Sequence, residues 1–168
     1  MATNQRDFLD STDLLLLEEL QKDARLSFAE LGRRVGLSSP AVAERVTRMT
    51  DHGVIRGFHA DVDPRAVGYQ LSVIVRVRPA PRQIAAVAEL ARDTPEVVEC
   101  HRGTGADSFI MKVHVRSVEH LESLIDRLTP FGTTSTSIVL SSPVEKRAIN
   151  RAEEPQHPAQ AAQAAPRK

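Results

Sequence analysis

The chain has 168 residues, enough for one medium domain or two small ones, and its 41% apolar and 26% charged content is ordinary for a globular protein. Its 22 basic and 22 acidic side chains cancel, so nothing chain-wide attracts nucleic acid; any DNA affinity must come from local charge asymmetry or from several copies acting together. Aromatics at 4% with no Trp argue against a stacking platform for single strands, and the single Cys100 excludes an internal disulfide framework. There is no apolar signal core at the N-terminus and no run near the ~18 apolar residues of a membrane span, so a cytoplasmic protein without membrane contact is expected.

Residues 1–6 are polar and carry no pattern. Asp10 and Thr12 are both suited to cap a helix that starts near Asp13. Leu16, Leu17 and Leu20 supply its core stripe, while Leu14 and Leu15 widen the apolar surface toward a second neighbour. Ser27 and Glu30 fit a capping box for the next helix. Leu31 and Val35 share one face of it, and Gly36 closes it with a residue that tolerates positive φ. Leu37 is a plug between helices. Ser38 or Ser39 caps the third helix, and Pro40 is allowed in its first turn because its missing N–H had no partner there. Val42, Val46 and Met49 form its apolar stripe; Ser39, Ala41, Glu44, Arg45, Thr47 and Arg48 occupy its other faces.

Two short helices joined by a glycine turn, with arginines on the second, match the helix-turn-helix pattern. Arg33, Arg34, Arg45, Arg48 and Arg56 outnumber Glu44 and Asp51 locally. Such a unit lays its second helix in the major groove, with Arg45 expected to read a base and Arg33, Arg34 and Arg48 to meet phosphates. Ser38, Ser39, Ala41 and Glu44 complete the DNA-binding set. Helical spacing alone does not separate this from an ordinary small helical protein.

Val54, Ile55, Phe58 and Val62 after Gly53 predict an extended wing or hairpin, followed by a connector punctuated by Pro64 and Gly68. From Leu71 the period changes. Leu71 to Arg78 reads as a strand, Ile84, Val87, Leu90 and Ala91 as a helix, Val97 to Arg102 as a strand, and Ser108 to Val115 as another with Phe109, Met111, Val113 and Val115 on one face. Val118, Leu121, Leu124, Ile125 and Leu128 mark a second helix, and Thr133 to Leu140 a last strand. The expected class is α+β: a winged helix-turn-helix over 1–60, a linker over 61–70, and a ferredoxin-like βαββαβ domain over 71–147. Both helices cover one sheet face, and the apolar content of the other favours a second subunit there. Residues 148–168, rich in Ala, Gln and Pro after Arg151, read as a disordered tail.

Cys100 is expected to be a buried structural cysteine, with the adjacent His101 facing the other side of its strand. His52, His59, His101, His114, His120 and His157 show no metal-ligand spacing. No phosphate loop, nucleophile elbow or paired-carboxylate motif is present, so neither catalysis nor a cofactor is predicted.

Leu9-Asp10 with Asp13, Asp23-Ala24-Arg25, Gly36-Leu37-Ser38, Arg45-Val46, Gly53-Val54-Ile55 and Asp63-Pro64, in this order and followed by a βαββαβ half, resemble the Lrp/AsnC (leucine-responsive, feast/famine) regulators from about Phe8 to Arg147. The resemblance implies a transcriptional regulator on double-stranded DNA, homodimeric or a tetramer of dimers, responsive to an amino acid or related small molecule. It implies an effector site between dimers at the loop Gly103-Thr104-Gly105-Ala106-Asp107-Ser108, with Thr134, Thr136 and Ser137 of the last strand lining it. Glycines there expose backbone N–H groups to a carboxylate, although a plain hairpin turn uses the same residues. The sequence departs from the family at Ser108, which stands where an acidic residue precedes the aromatic Phe109. Asp107 is one position early and need not replace it, which argues against an ordinary α-amino acid as effector. That departure leaves open a DNA-organising architectural protein without ligand, and the zero net charge leaves open a small-molecule sensor acting through protein partners.

Overall fold

The computed structural model describes residues 8–150. They fall into two compact units, one holding the chain to His59 and again from Lys146, the other Ala60–Glu145.

The first unit is built from three helices, α1 (Ser11–Lys22), α2 (Phe28–Val35) and α3 (Ser39–Asp51). A complete capping box starts α1: Asp13 N donates to Asp10 Oδ1 at 2.8 Å, and Asp10 N donates to Asp13 Oδ2 at 3.1 Å. At α2 only half of the expected box forms. Glu30 N donates to Ser27 Oγ, but the Glu30 carboxylate turns to Arg34 at 2.9 Å and to Arg33 instead of reaching back. Ser38 caps α3 and Pro40 sits in its first turn. Leu16, Leu20, Leu31, Val42, Val46, Met49 and Ile55 are buried together between the helices. The turn between α2 and α3 is tight for two reasons. Gly36 adopts φ 74°, left-handed and cheap for glycine. Gly32, one turn earlier, lies so close to the Leu37 carbonyl that a Cβ has no room.

The expected wing is not built: no strand forms between α3 and Leu71 in the described chain. The reason is local. Val54 N and Ile55 N both donate back to Met49 O, so this stretch closes the end of α3 rather than opening a hairpin. The expected tail also begins differently. Ile149 N donates to Gln21 Oε1 at 2.8 Å and Gln21 Nε2 to Ile149 O at 3.2 Å, so the chain is held to α1 one residue into the stretch read as disordered. The rest of that stretch, residues 151–168, lies outside the described residues, as do residues 1–7.

The second unit is β1 (Leu71–Pro79), α4 (Ile84–Asp93), β2 (Val97–Arg102), β3 (Phe109–Val115), α5 (Val118–Leu128), a short 3-10 turn (Thr129–Phe131) and β4 (Gly132–Ile138). Strand order is β2-β3-β1-β4 with antiparallel neighbours, the ferredoxin-like topology. Period-two alternation puts Val73, Val75, Val77, Phe109, Met111, Val113 and Val115 against Val87, Ala91, Leu121, Leu124 and Leu128 of the two helices. Glu96, just before β2, accepts from His120 at 2.8 Å and pairs with Arg127 at 3.2 Å, tying α5 to the start of the edge strand. Burial acts to raise the Glu96 carboxyl, but its backbone hydrogen bond, His120 and Arg127 outweigh this and hold it below its usual value.

Two expectations are corrected here. Cys100 is exposed, not buried. It lies opposite Met111, on the helix side, but on an edge strand with no further strand to cover it, and the helix cover there is incomplete. The other sheet face is less apolar than expected. Beside Ile74 and Ile110 its central strands carry Ser72, Arg76, Lys112 and His114.

Candidate nucleic-acid interface and effector loop

Helix α3 shows three faces. Val42, Val46 and Met49 are buried. Pro40, Glu44, Thr47 and Asp51, at i, i+4, i+7 and i+11, form a continuous exposed stripe. Ala41, Arg45 and Arg48 make an intermediate flank.

That flank carries the largest departure from expectation. Arg45 Nη1 donates to Asp10 Oδ2 at 2.6 Å and to Asp13 Oδ1 at 2.8 Å. Arg48 Nη2 donates to Asp13 Oδ2 at 2.7 Å, and its guanidinium lies 5.1 Å over the Phe8 ring. The Asp13 side chain is 0% exposed and both its oxygens are used. Hydrogen bonds from Arg45 and from the Asp13 N–H hold the Asp10 carboxyl below its usual value, and the same aspartates raise Arg45 further. Arg45, expected to reach a base edge, is therefore held against the start of α1. It sets the position of α3 on α1.

Arg33 and Arg34, expected at phosphates, pair with Glu30, and Arg34 also with Glu19 at 2.6 Å. These pairs are solvent-exposed, and such pairs are worth only ~0–1 kcal/mol, so a phosphate can displace them at small cost. Ser39 and Glu44 are exposed on α3, whereas the Ser38 hydroxyl is occupied by its cap.

In the second unit the β2–β3 loop is closed by Gly103 N donating to Ser108 O at 2.8 Å. Gly105 adopts φ 103°, a conformation that L side chains rarely take. Asp107 pairs with Arg78 of β1 at 3.2 Å. Arg78 is opposite Thr133, and Val77 is opposite Thr134, so the loop and the first residues of β4 flank the same end of β1. Thr136 and Ser137 lie farther along β4 and diverge. Thr136 shares the side of Val75, while Ser137 lies on the open face, where Arg76 Nη1 reaches its Oγ at 3.4 Å. The sequence-predicted loop residues and Thr134 thus lie at the same end of β1, on either side of it, but Thr136 and Ser137 do not share one face.

Residues 9–50 match the AsnC-type helix-turn-helix domain, and residues 72–149 match the Lrp/AsnC ligand binding domain. The uncharacterized HTH-type transcriptional regulator YezC of Bacillus subtilis is 40% identical over 134 residues, covering 80% of this chain and 95% of the relative. The chain belongs to the Lrp/AsnC family of helix-turn-helix transcriptional regulators. The HTH-type transcriptional regulator LrpA of Mycobacterium tuberculosis is 36% identical over 80% of this chain and 91% of its own. The structure of B. subtilis LrpC superimposes with a TM-score of 0.78 at 33% identity, covering 82% of this chain and 99% of that one. A Neisseria meningitidis transcriptional regulator solved as a complex with L-Met gives 0.78 at 26% identity over 84% of this chain and 96% of that one.

In this Lrp/AsnC chain the motifs that carried the resemblance act through structure. Asp10, Asp13 and Arg45 lock α3 to α1, and Gly36-Leu37-Ser38 makes the turn and caps α3. A sequence signal for the lock existed. Asp13 is in phase with Leu16 and Leu20, and Arg45 with Val42 and Met49, so a carboxylate and a guanidinium both fall beside the core. Burying that carboxylate requires a cation, and buried charges are paired. Two cations with no pairing partner in the described chain, Arg25 and Arg56, are exposed on the same unit.

Proposed function

We propose that this regulator binds operator DNA as a homo-oligomer in the cytoplasm, enters the major groove with α3, and responds to an amino acid or related small molecule held at the 103–108 loop. It carries no catalytic activity and needs no cofactor. The observation that carries the reading is the three-helix unit itself. Asp13 pins Arg45 and Arg48, which fixes α3 with its Pro40-Glu44-Thr47-Asp51 stripe facing out, and little else explains an exposed helix so firmly held. Phosphate attraction comes from Arg33, Arg34, Arg25 and Arg56, and a homodimer doubles it and spaces two half-sites by about one helical turn. At the loop, backbone N–H groups and Arg78 suit a carboxylate, and the relative solved with L-Met supports an amino acid as the chemical class.

Footprinting on the DNA upstream of the protein's own coding region, at two salt concentrations, tests the DNA half. Protected patches repeating at helical turns and lost at the higher salt are expected, because each phosphate contact releases counterions. Smooth coverage without sequence preference would favour a DNA-organising protein, and absence of protection a sensor acting through protein partners. The effector half is tested with Gly105→Glu. A panel of the proteinogenic amino acids and of the corresponding carboxylates without a free ammonium group should include one compound that changes the footprint of the natural chain. The variant should bind the same DNA and ignore that compound, since a long acidic side chain on a left-handed backbone repels a carboxylate and distorts the loop. An unchanged response would remove the loop from the site.

A further inference from the structure

The pairing of Arg45 and Arg48 with Asp13 leaves the outward stripe of α3 without a cation: it presents Pro40, Glu44, Thr47 and Asp51. A helix entering a groove walled by phosphates gains nothing from carboxylates on its leading face unless they meet donors. Glu44 is exposed, has no ion-pair or hydrogen-bond partner in the described chain, and lies in the first half of α3, the part of a recognition helix that approaches base edges. Asp51 ends the helix, and the Thr50 hydroxyl is turned back to Val46 O at 2.8 Å.

We propose that Glu44 is the specificity-determining side chain of this regulator and that it reads a cytosine. The proposal rests on α3 being the DNA-reading helix. In the major groove only cytosine N4 and adenine N6 donate hydrogen bonds, and adenine sets its N7 acceptor beside N6, where it repels a second carboxylate oxygen. Cytosine offers the donor without that acceptor. Guanine and thymine meet Glu44 with acceptors or a methyl group and leave the charge desolvated and unpaired, while adenine pairs one oxygen and sets its N7 against the other, which grades the discrimination. Thr47, one turn on along the same stripe, is placed to contact the neighbouring base pair.

The test is selection of duplexes from a pool with a randomised stretch, using the full-length chain, Glu44→Ala and Glu44→Gln. Glu44 is exposed and unpaired, so all three should fold alike, and melting curves verify it. The natural chain should select a consensus with a cytosine in each half-site. Glu44→Ala should relax preference at that position alone by roughly tenfold or more, the discrimination one good base contact supplies. Glu44→Gln should shift it toward adenine, whose N6 and N7 match a carboxamide. A consensus that survives Glu44→Ala at every position, with binding merely tighter on all DNA, would overturn the proposal and leave Glu44 a repelling charge. Failure of the natural chain to select any consensus would overturn the operator-binding reading as well, so the two failures are distinguishable.

Discussion

Asp13→Ala is expected to destabilise the helix-turn-helix unit by about 2–3 kcal/mol and to weaken binding to operator and to random DNA together. Removing one partner of a buried ion pair ordinarily costs ~3–5 kcal/mol because the other charge is left without compensation. Here the cost falls at or just below the bottom of that range. Arg45 and Arg48 are 26% and 41% exposed, so water recovers part of their solvation, while Asp13 is 0% exposed and recovers none. The loss has a second component. Arg48 Nε is already buried without a partner, and freeing the rest of that guanidinium lets the whole side chain leave the Phe8 ring. Urea denaturation of the full chain measures the effect. Asp13→Asn should lie between the natural chain and alanine, since it keeps oxygen and shape but loses the charge. Arg45→Ala should resemble Asp13→Ala, losing specific and random binding in parallel. A selective loss of operator binding in Arg45→Ala, with stability unchanged, would return Arg45 to base reading and refute the lock.

The second large effect is expected at Gly132. A Cβ there would collide with Arg78 O and lie 2.8 Å from Pro79 Cα, backbone atoms of the neighbouring strand that no rotamer change can move. Gly132→Ala should therefore separate the start of β4 from the end of β1, at a cost of about 2–3 kcal/mol, in the range of overpacking a well-ordered interior. For a domain of this size that is a fall of roughly 10–20 °C in the melting of the second unit. The effector response should weaken too, because the same strand ends flank the 103–108 loop and the Asp107–Arg78 pair. Gly103→Ala is the matched control. No atom lies within 4 Å of the added carbon and its backbone is not left-handed, so stability should hold. If the two substitutions melt alike, the close approach at Gly132 is not what glycine provides there.

Five helices, four strands and their succession along the chain were readable from periodicity, because an apolar stripe at three to four residues or at two residues states both the element and its inner face. The alternation of Phe109, Met111, Val113 and Val115, and the triad Val42, Val46 and Met49, place their side chains in the two cores as expected. Cys100 misled because its alternation is correct but its strand is at the sheet edge, and strand order is a tertiary property. Thr136 and Ser137 enter the effector set through the family resemblance, but as adjacent residues of β4 they point to opposite faces.

What the sequence by itself determined was the family, the two-unit organisation and the helix that faces outward, since these follow from local patterns and from short motifs kept in order. What only the tertiary structure decided was the role of each charge. Arg45, Arg48, Glu44 and Thr47 occupy one helix within three turns, and spacing alone makes each arginine look free to meet DNA. The decision came from 32 to 35 residues away, where Asp10 and Asp13 meet both guanidiniums and turn them inward. An ion pair is a contact between distant segments, and no local pattern encodes whether a surface cation has already been claimed.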